Sequence, residues 1–209
     1  MHIMKSSRRH FFKFFGAGAT ALLVEPRGLF AEALTTTPSA TEWPYYPPDL
    51  PLDTDNDLVI INSNLTSAVG QIAYISGRIL SSTGEPVRNA HMEIWHADTS
   101  GAYIHPSSVG YANRDQNFQG FGRFVTGSTG EYFFRTIKPG LYTGRTRHIH
   151  FKVKLSGSPE FTSQIFFFGE PMNSSDMVLT GIANAKQRSS VVVPFAAVEG
   201  STINATAAR

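Results

Sequence analysis

From Gly70 onward the chain alternates apolar and polar positions in short segments broken by turns. Residues 71–80 alternate well enough for a strand, and Ser81-Ser82-Thr83-Gly84-Glu85-Pro86 reads as a turn. Residues 87–96 form the next strand, with His91, Glu93 and Trp95 on one face and Met92, Ile94 and His96 on the other. Asp98-Thr99-Ser100-Gly101 turns the chain, and 106–121 is a polar loop. Further strands follow at 122–126, 131–137, 147–155, 163–168 and 189–193, while 176–182 reads equally as a short helix or irregular chain. No long stretch repeats at helical period. The pattern predicts an all-β domain over 52–209, a β-sandwich of about eight mostly antiparallel strands whose long loops carry the functional site.

The segments before it differ. Residues 34–51 are rich in Thr, Pro and Ser, and Trp43-Pro44-Tyr45-Tyr46-Pro47-Pro48 excludes a helix because proline fixes its own φ and restricts its predecessor. This stretch is expected to be an extended arm or linker whose aromatic rings dock on a surface. Residues 53–57 form an acidic loop of turn type. Over 1–33, Ser7-Arg8-Arg9-His10-Phe11-Phe12-Lys13 resembles a twin-arginine export signal. An apolar run too short to span a bilayer follows it, and Ala31-Glu32-Ala33 offers a cleavage site. The expectation is a protein delivered by the twin-arginine machinery to the periplasm or medium, without stable membrane insertion.

Charge and composition narrow the chemistry. A formal charge of +2 over 209 residues gives no basis for binding nucleic acid. There is no cysteine, so a metal would have to be held by His, Tyr, carboxylate or backbone oxygen. His148 and His150 flank Ile149 on the strand at 147–155, which puts both imidazoles on one face and the apolar set on the other. The carboxylate of a two-histidine, one-carboxylate iron site would be expected soon after the pair, where this chain has Lys152, Val153, Lys154 and Leu155. Glu93 is a remote candidate, and His91, His96 and His105 remain open as third ligands of a zinc site.

The blocks Val87-Arg88-Asn89-Ala90, Glu93-Ile94-Trp95-His96-Ala97-Asp98 and Gly101-Ala102-Tyr103, then Gly130 to Tyr142 and Arg145-Thr146-Arg147-His148-Ile149-His150-Phe151, occur in an order that resembles the intradiol ring-cleavage dioxygenases, nearest the protocatechuate 3,4-dioxygenase branch. The resemblance covers roughly 43–195. It implies one non-haem Fe(III) per subunit held by Tyr103, Tyr142, His148 and His150, with Tyr142 and His148 axial and Tyr103 and His150 equatorial. It further implies that Arg145 and Gln164 act in catalysis, that Tyr142 serves as an internal base, and that Trp95 lies beside the pocket. The substrates would be a catechol and O2, the products cis,cis-muconates, and homo-oligomers are compatible with the family. Charge balance agrees, since two tyrosinates and a hydroxide cancel the charge of ferric iron in an apolar surrounding. Two other readings stay open from the residues alone: a different two-histidine metalloenzyme, and a metal-free exported binding module.

One departure concerns the pocket. Only five residues separate Tyr142 from His148, a shorter loop than the family pattern carries, and Gly144 stands where bulk is usual. The expectation is a wide entrance that admits bulky catechols, unless Trp43, Tyr45 or Tyr46 folds over and refills the space.

Overall fold

The computed structural model describes residues 35–208 apart from 43, 63, 200 and 202–204. The expected export signal and Trp43 lie outside the described residues. Among the described residues there are nine strands: β1 (Ile72–Arg78), β2 (His91–Trp95), β3 (Phe121–Val125), β4 (Glu131–Ile137), β5 (His148–Lys154), β6 (Phe161–Phe167), β7 (Val192–Val193), β8 (Ala196–Ala197) and β9 (Ala205–Ala208). They form a four-stranded sheet in the order β4-β1-β9-β8 and a five-stranded sheet in the order β3-β2-β5-β6-β7. The pairs β1–β9 and β6–β7 run parallel and the other pairings of these strands are antiparallel. The all-β sandwich expected from the alternation is what the chain builds.

The alternation explains the layers. Ile75, Phe134 and Ile137 from the first sheet meet Met92, Ile94, Ile149, Ile165 and Phe167 from the second in one apolar core. Ile94, Phe134 and Ile149 are fully buried. Burying such a side chain stabilises the fold by about 1.5–3 kcal/mol, so this inner layer fixes the register of β2, β5 and β6. A one-residue slip would carry every inner side chain to the outer face. The odd-numbered partners on β2 and the even-numbered ones on β5 and β6 therefore point away from the core, and that outer face holds the functional residues.

Two expected strands start several residues late. The segment 87–96 becomes a strand only at His91, because Asn89 takes a left-handed φ of 60° and the Ala90 amide donates to Thr126 Oγ1. The segment 189–193 yields strand only at Val192–Val193; Asn184 caps a helix, α2 (Ala185–Ser190), that takes the preceding residues. The undecided stretch 176–182 contains α1 (Met177–Thr180), capped by Asp176. The acidic loop is a run of side-chain turns in which Asp53, Asp55 and Asp57 each accept from the amide two residues on.

Residues 35–42 and 44–51 lie along the domain as an arm. The Ala40 amide donates to the Thr162 carbonyl, on the part of β6 beyond its pairing with β7, and Ser163 Oγ donates to the Pro38 carbonyl. Lys152, although buried, reaches Glu42 Oε1 at 2.7 Å. Tyr46 donates to Glu93 at 2.9 Å and sets its ring edge-on to Trp95. No helix among the described residues is long and apolar enough to cross a membrane.

Candidate metal centre

The outer face of the five-stranded sheet presents Trp95, His150 and Gln164 side by side, because they pair in register across β2, β5 and β6. His148 and Phe166 form the next row. Trp95 stacks on His150 with ring centroids 4.9 Å apart. Two loops bring the tyrosines over this face. The Gly101 and Gly140 backbones press against each other: a Cβ on Gly101 would lie 2.2 Å from the Leu141 carbonyl oxygen, and one on Gly140 2.3 Å from that of Thr99. Only glycine permits that approach, and it sets Tyr103 and Tyr142 within 5.5 Å, ring centre to ring centre. Asp98 organises the first loop by accepting from the Ser100, Ala102 and Asp115 amides. Arg147 closes the second by donating to the Pro139 carbonyl and pairing with Glu170.

The polar atoms converge. Tyr103 Oη lies 3.3 Å from His148 Nε2, which lies 3.2 Å from His150 Nε2. Neighbouring ligands bonded at ~2.1 Å to one ion stand about 3 Å apart, so these atoms fit a shared metal. His148 Nδ1 donates to the Thr146 carbonyl at 2.6 Å, which leaves the Nε2 lone pair facing inward, the arrangement metal-binding histidines use. Burial, reinforced by the Arg145 charge, lowers His148 to about 3, and burial with the adjacent His148 holds His150 well below its ordinary value. Both are therefore neutral donors at physiological pH. Burial raises Tyr103 well above 10 and also raises Tyr142, against the opposing pull of Arg145. Such phenols ionise only beside a strong cation, and a hard trivalent ion is one.

Arg145 completes the group. Its Nη1 donates to Tyr142 Oη at 3.2 Å, its Nη2 to Gln164 Oε1 at 2.7 Å, and its Nε to Asp176 at 2.8 Å. The other candidates stand apart. His91 is exposed, and His96 is buried with its nitrogens on the Ala97 carbonyl and Thr136 Oγ1. His105 accepts from the Ser107 amide at the rim. Glu93 pairs with Arg123 and Lys154. Among the described residues no three His, Cys, Asp or Glu side chains gather where they could hold an ion. Asp98 and Asp176 were not singled out in the sequence; a buried aspartate in a turn gives no signal there beyond its own turn or cap.

The space beside Gly144 is open, with nothing within 4 Å of where its Cβ would be. The arm fills the space over the tyrosines instead. Tyr45 sets its ring 4.8 Å from that of Tyr103 and 5.7 Å from that of Tyr142. Tyr45 thus stands over the tyrosines, while the space beside Gly144 itself stays open.

Residues 41–202 match the family model Dioxygenase_C, described as Dioxygenase. The chain is 35% identical over 140 residues to the protocatechuate 3,4-dioxygenase beta chain of Burkholderia cepacia, across 63% of this chain and 59% of that one. It is 31% identical over 125 residues to catechol 1,2-dioxygenase of Acinetobacter baylyi, across 51% and 39%. The matched part thus spans well under two thirds of those relatives. Among solved structures, the dioxygenase domain of a dioxygenase carbohydrate-binding fusion from Streptomyces sp. SirexAA-E superposes with a TM-score of 0.62 at 30% identity, covering 83% of this chain and 94% of that one. Catechol 1,2-dioxygenase from Acinetobacter sp. ADP1 superposes at 0.63 and 24% identity, covering 86% and 63%, a likeness of fold. With most of its length inside one family model, the chain belongs to the intradiol dioxygenase family.

Proposed function

We propose that the protein is a mononuclear non-haem Fe(III) dioxygenase, one ion per subunit, that opens catecholic rings with O2 between the two hydroxyl-bearing carbons and yields cis,cis-muconate-type products. The observation that carries this reading is the convergence of Tyr103 Oη and the two imidazole Nε2 atoms at 3.2–3.3 Å, with the Arg145 guanidinium on Tyr142. Tyr103, Tyr142, His148 and His150 are the ligands in this proposal. When bound, ferric iron supplies the Lewis acidity that draws electron density out of a catecholate ring and readies it for O2.

The chain's own residues do the rest. Tyr142, the less buried tyrosine and the one touched by Arg145, takes a catechol proton as a general base. The planar Arg145 guanidinium stabilises negative charge that develops on the substrate oxygen. Gln164 keeps its Nε2 as a buried donor without a partner among the described residues, suited to an incoming oxygen atom. Trp95 and Tyr45 shield the group from water.

The test is direct. The iron-loaded protein is expected to be burgundy from tyrosinate-to-iron charge transfer and to consume O2 with at least one of catechol, protocatechuate, hydroxyquinol or a bulkier substituted catechol. A colourless iron-loaded protein, or no uptake with any of these rings, overturns the reading. Two relatives are named as beta and alpha chains of protocatechuate 3,4-dioxygenase, which supports association of this chain with further copies.

Export by the twin-arginine route, with a signal over 1–33, an arm over 34–51 and the enzyme domain after it, is also part of the proposal. Replacing Arg8 and Arg9 together by lysine is expected to leave full-length precursor in the cytoplasm, read by fractionation. Undiminished export of that variant removes the assignment.

A further inference from the structure

Asp176 is wholly buried, although a carboxylate taken out of water is costly to hold. Both of its oxygens are in use. Oδ1 accepts from the Val178 and Leu179 amides at 3.0 Å and so caps α1. Oδ2 accepts from Arg145 Nε and from the Thr146 amide, each at 2.8 Å. A four-residue helix does not need a charged cap, because serine or asparagine serves there as well. The charge answers Arg145 instead.

What Arg145 gains is a fixed direction. With Nε held from behind, the planar guanidinium points Nη1 at Tyr142 Oη and Nη2 at Gln164 Oε1. Arginine can only donate, so Gln164 must turn its oxygen toward it. The Gln164 amide nitrogen is thereby left buried and without a partner among the described residues. The same carboxylate also holds the Thr146 amide, and the Thr146 carbonyl receives His148 Nδ1. One side chain on an element outside the sandwich thus stands behind the arginine, the glutamine and a histidine of the candidate centre.

We infer that Asp176 is a positioning residue for ring cleavage, acting through Arg145 and the Gln164 amide that Arg145 orients. The inference rests on the proposed reading of the site as an intradiol dioxygenase. It assigns Asp176 no contact with substrate.

Asp176→Asn separates the two functions of the side chain. Its remaining oxygen still caps α1, while an NH2 group replaces the oxygen that faced two donors. The variant is expected to fold, with kcat lowered about 10- to 100-fold and KM little changed, because a misdirected Arg145 loses an interaction made in the transition state. In an Arg145→Ala background the same change is expected to cost little more, since the residue it acts through is gone. Independently of activity, nitrogen-15 NMR of the full chain reads the Arg145 Nε–H, assigned by its absence in Arg145→Lys. It is expected to be protected from exchange in the wild type and exposed in Asp176→Asn. Asp176→Ser, which also retains a capping oxygen, repeats the comparison if the asparagine variant does not fold. An equally protected Nε–H, or an equal fold-loss in both backgrounds, overturns the inference and leaves ring cleavage standing. A wild type that opens no catechol defeats the functional reading, and the Nε–H comparison still decides whether Asp176 locks Arg145.

Discussion

Tyr103→Phe is expected to cost the protein most of its bound iron and its ring cleavage, whereas Tyr142→Phe keeps part of the iron, changes colour and binds substrate slowly. The two tyrosines differ in their surroundings. Tyr103 is 1% exposed, its hydroxyl lies 3.3 Å from His148 Nε2, and its amide is fixed by Ser108 Oγ. Its phenol is enclosed between His148 and the Tyr142 hydroxyl. Tyr142 is half-buried on the short loop, and its hydroxyl has Arg145 as an alternative partner at 3.2 Å. Leaving one partner for another costs little there, so Tyr142 is the residue suited to release its hold and accept a proton. Losing an internal base lowers kcat/KM by on the order of 10²–10⁴-fold, so Tyr142→Phe is a severe variant even with iron in place. Iron per subunit, the visible spectrum and stopped-flow substrate binding separate the two. Unchanged spectra in both variants would remove both tyrosines from the ligand set.

The contrast between these residues and Asp176 marks what a sequence discloses. β5 was legible because alternation forces one face inward and Ile149 has no other place to bury, and β4 as an aromatic run bounded by the turns at Gly130 and Pro139-Gly140. β8 and β9 were not, since Ala196–Ala197 and Ala205–Ala208 carry little β preference and become strands only by pairing with each other and with β1. The helix over Ala185–Ser190 competed with a run of valines for the same residues, and the Asn184 cap took the first part. At the site, Tyr103, Tyr142, Arg145, His148, His150 and Gln164 were legible through ordered blocks resembling a family, and the register of β2, β5 and β6 brings the last two beside Trp95.

Asp98, Asp176 and Tyr45 owe their roles to partners found only in three dimensions. Asp98 accepts from the amide of Asp115, 17 positions on, and Asp176 from Arg145, 31 positions back. Lys152 is the sharpest case. It sits on the same face as His150, where alternation alone would read it as solvated, yet it is buried against Glu42 and over the Tyr46 ring at 4.0 Å. A charge becomes affordable there because the arm brings its counter-ion.

That arm sets the second large effect. Tyr45→Ala is expected to raise kcat/KM for a bulky 4-substituted catechol relative to catechol itself by roughly tenfold to a hundredfold, the range a lost or gained apolar contact in a pocket wall supports. Tyr45 covers Tyr103 and Tyr142 at 4.8 and 5.7 Å between ring centres. It also lines, with Pro44, Tyr46 and His105, a surface cleft of about 480 Å³. Removing its ring joins that cleft to the space over the tyrosines, and a ring substituent can extend into it. Tyr46, held by Glu93, and Glu42, held by Lys152, keep the arm docked, so the change is confined to one side chain. Bulk added at Gly144 is a poorer probe, because its φ of +78° strains any side chain. The measurement is steady-state O2 uptake with both substrates in wild type and Tyr45→Ala, at matched iron content. An unchanged ratio means that Tyr45 does not bound the pocket. A wild type that already prefers the bulky ring means that the arm stands aside when substrate enters.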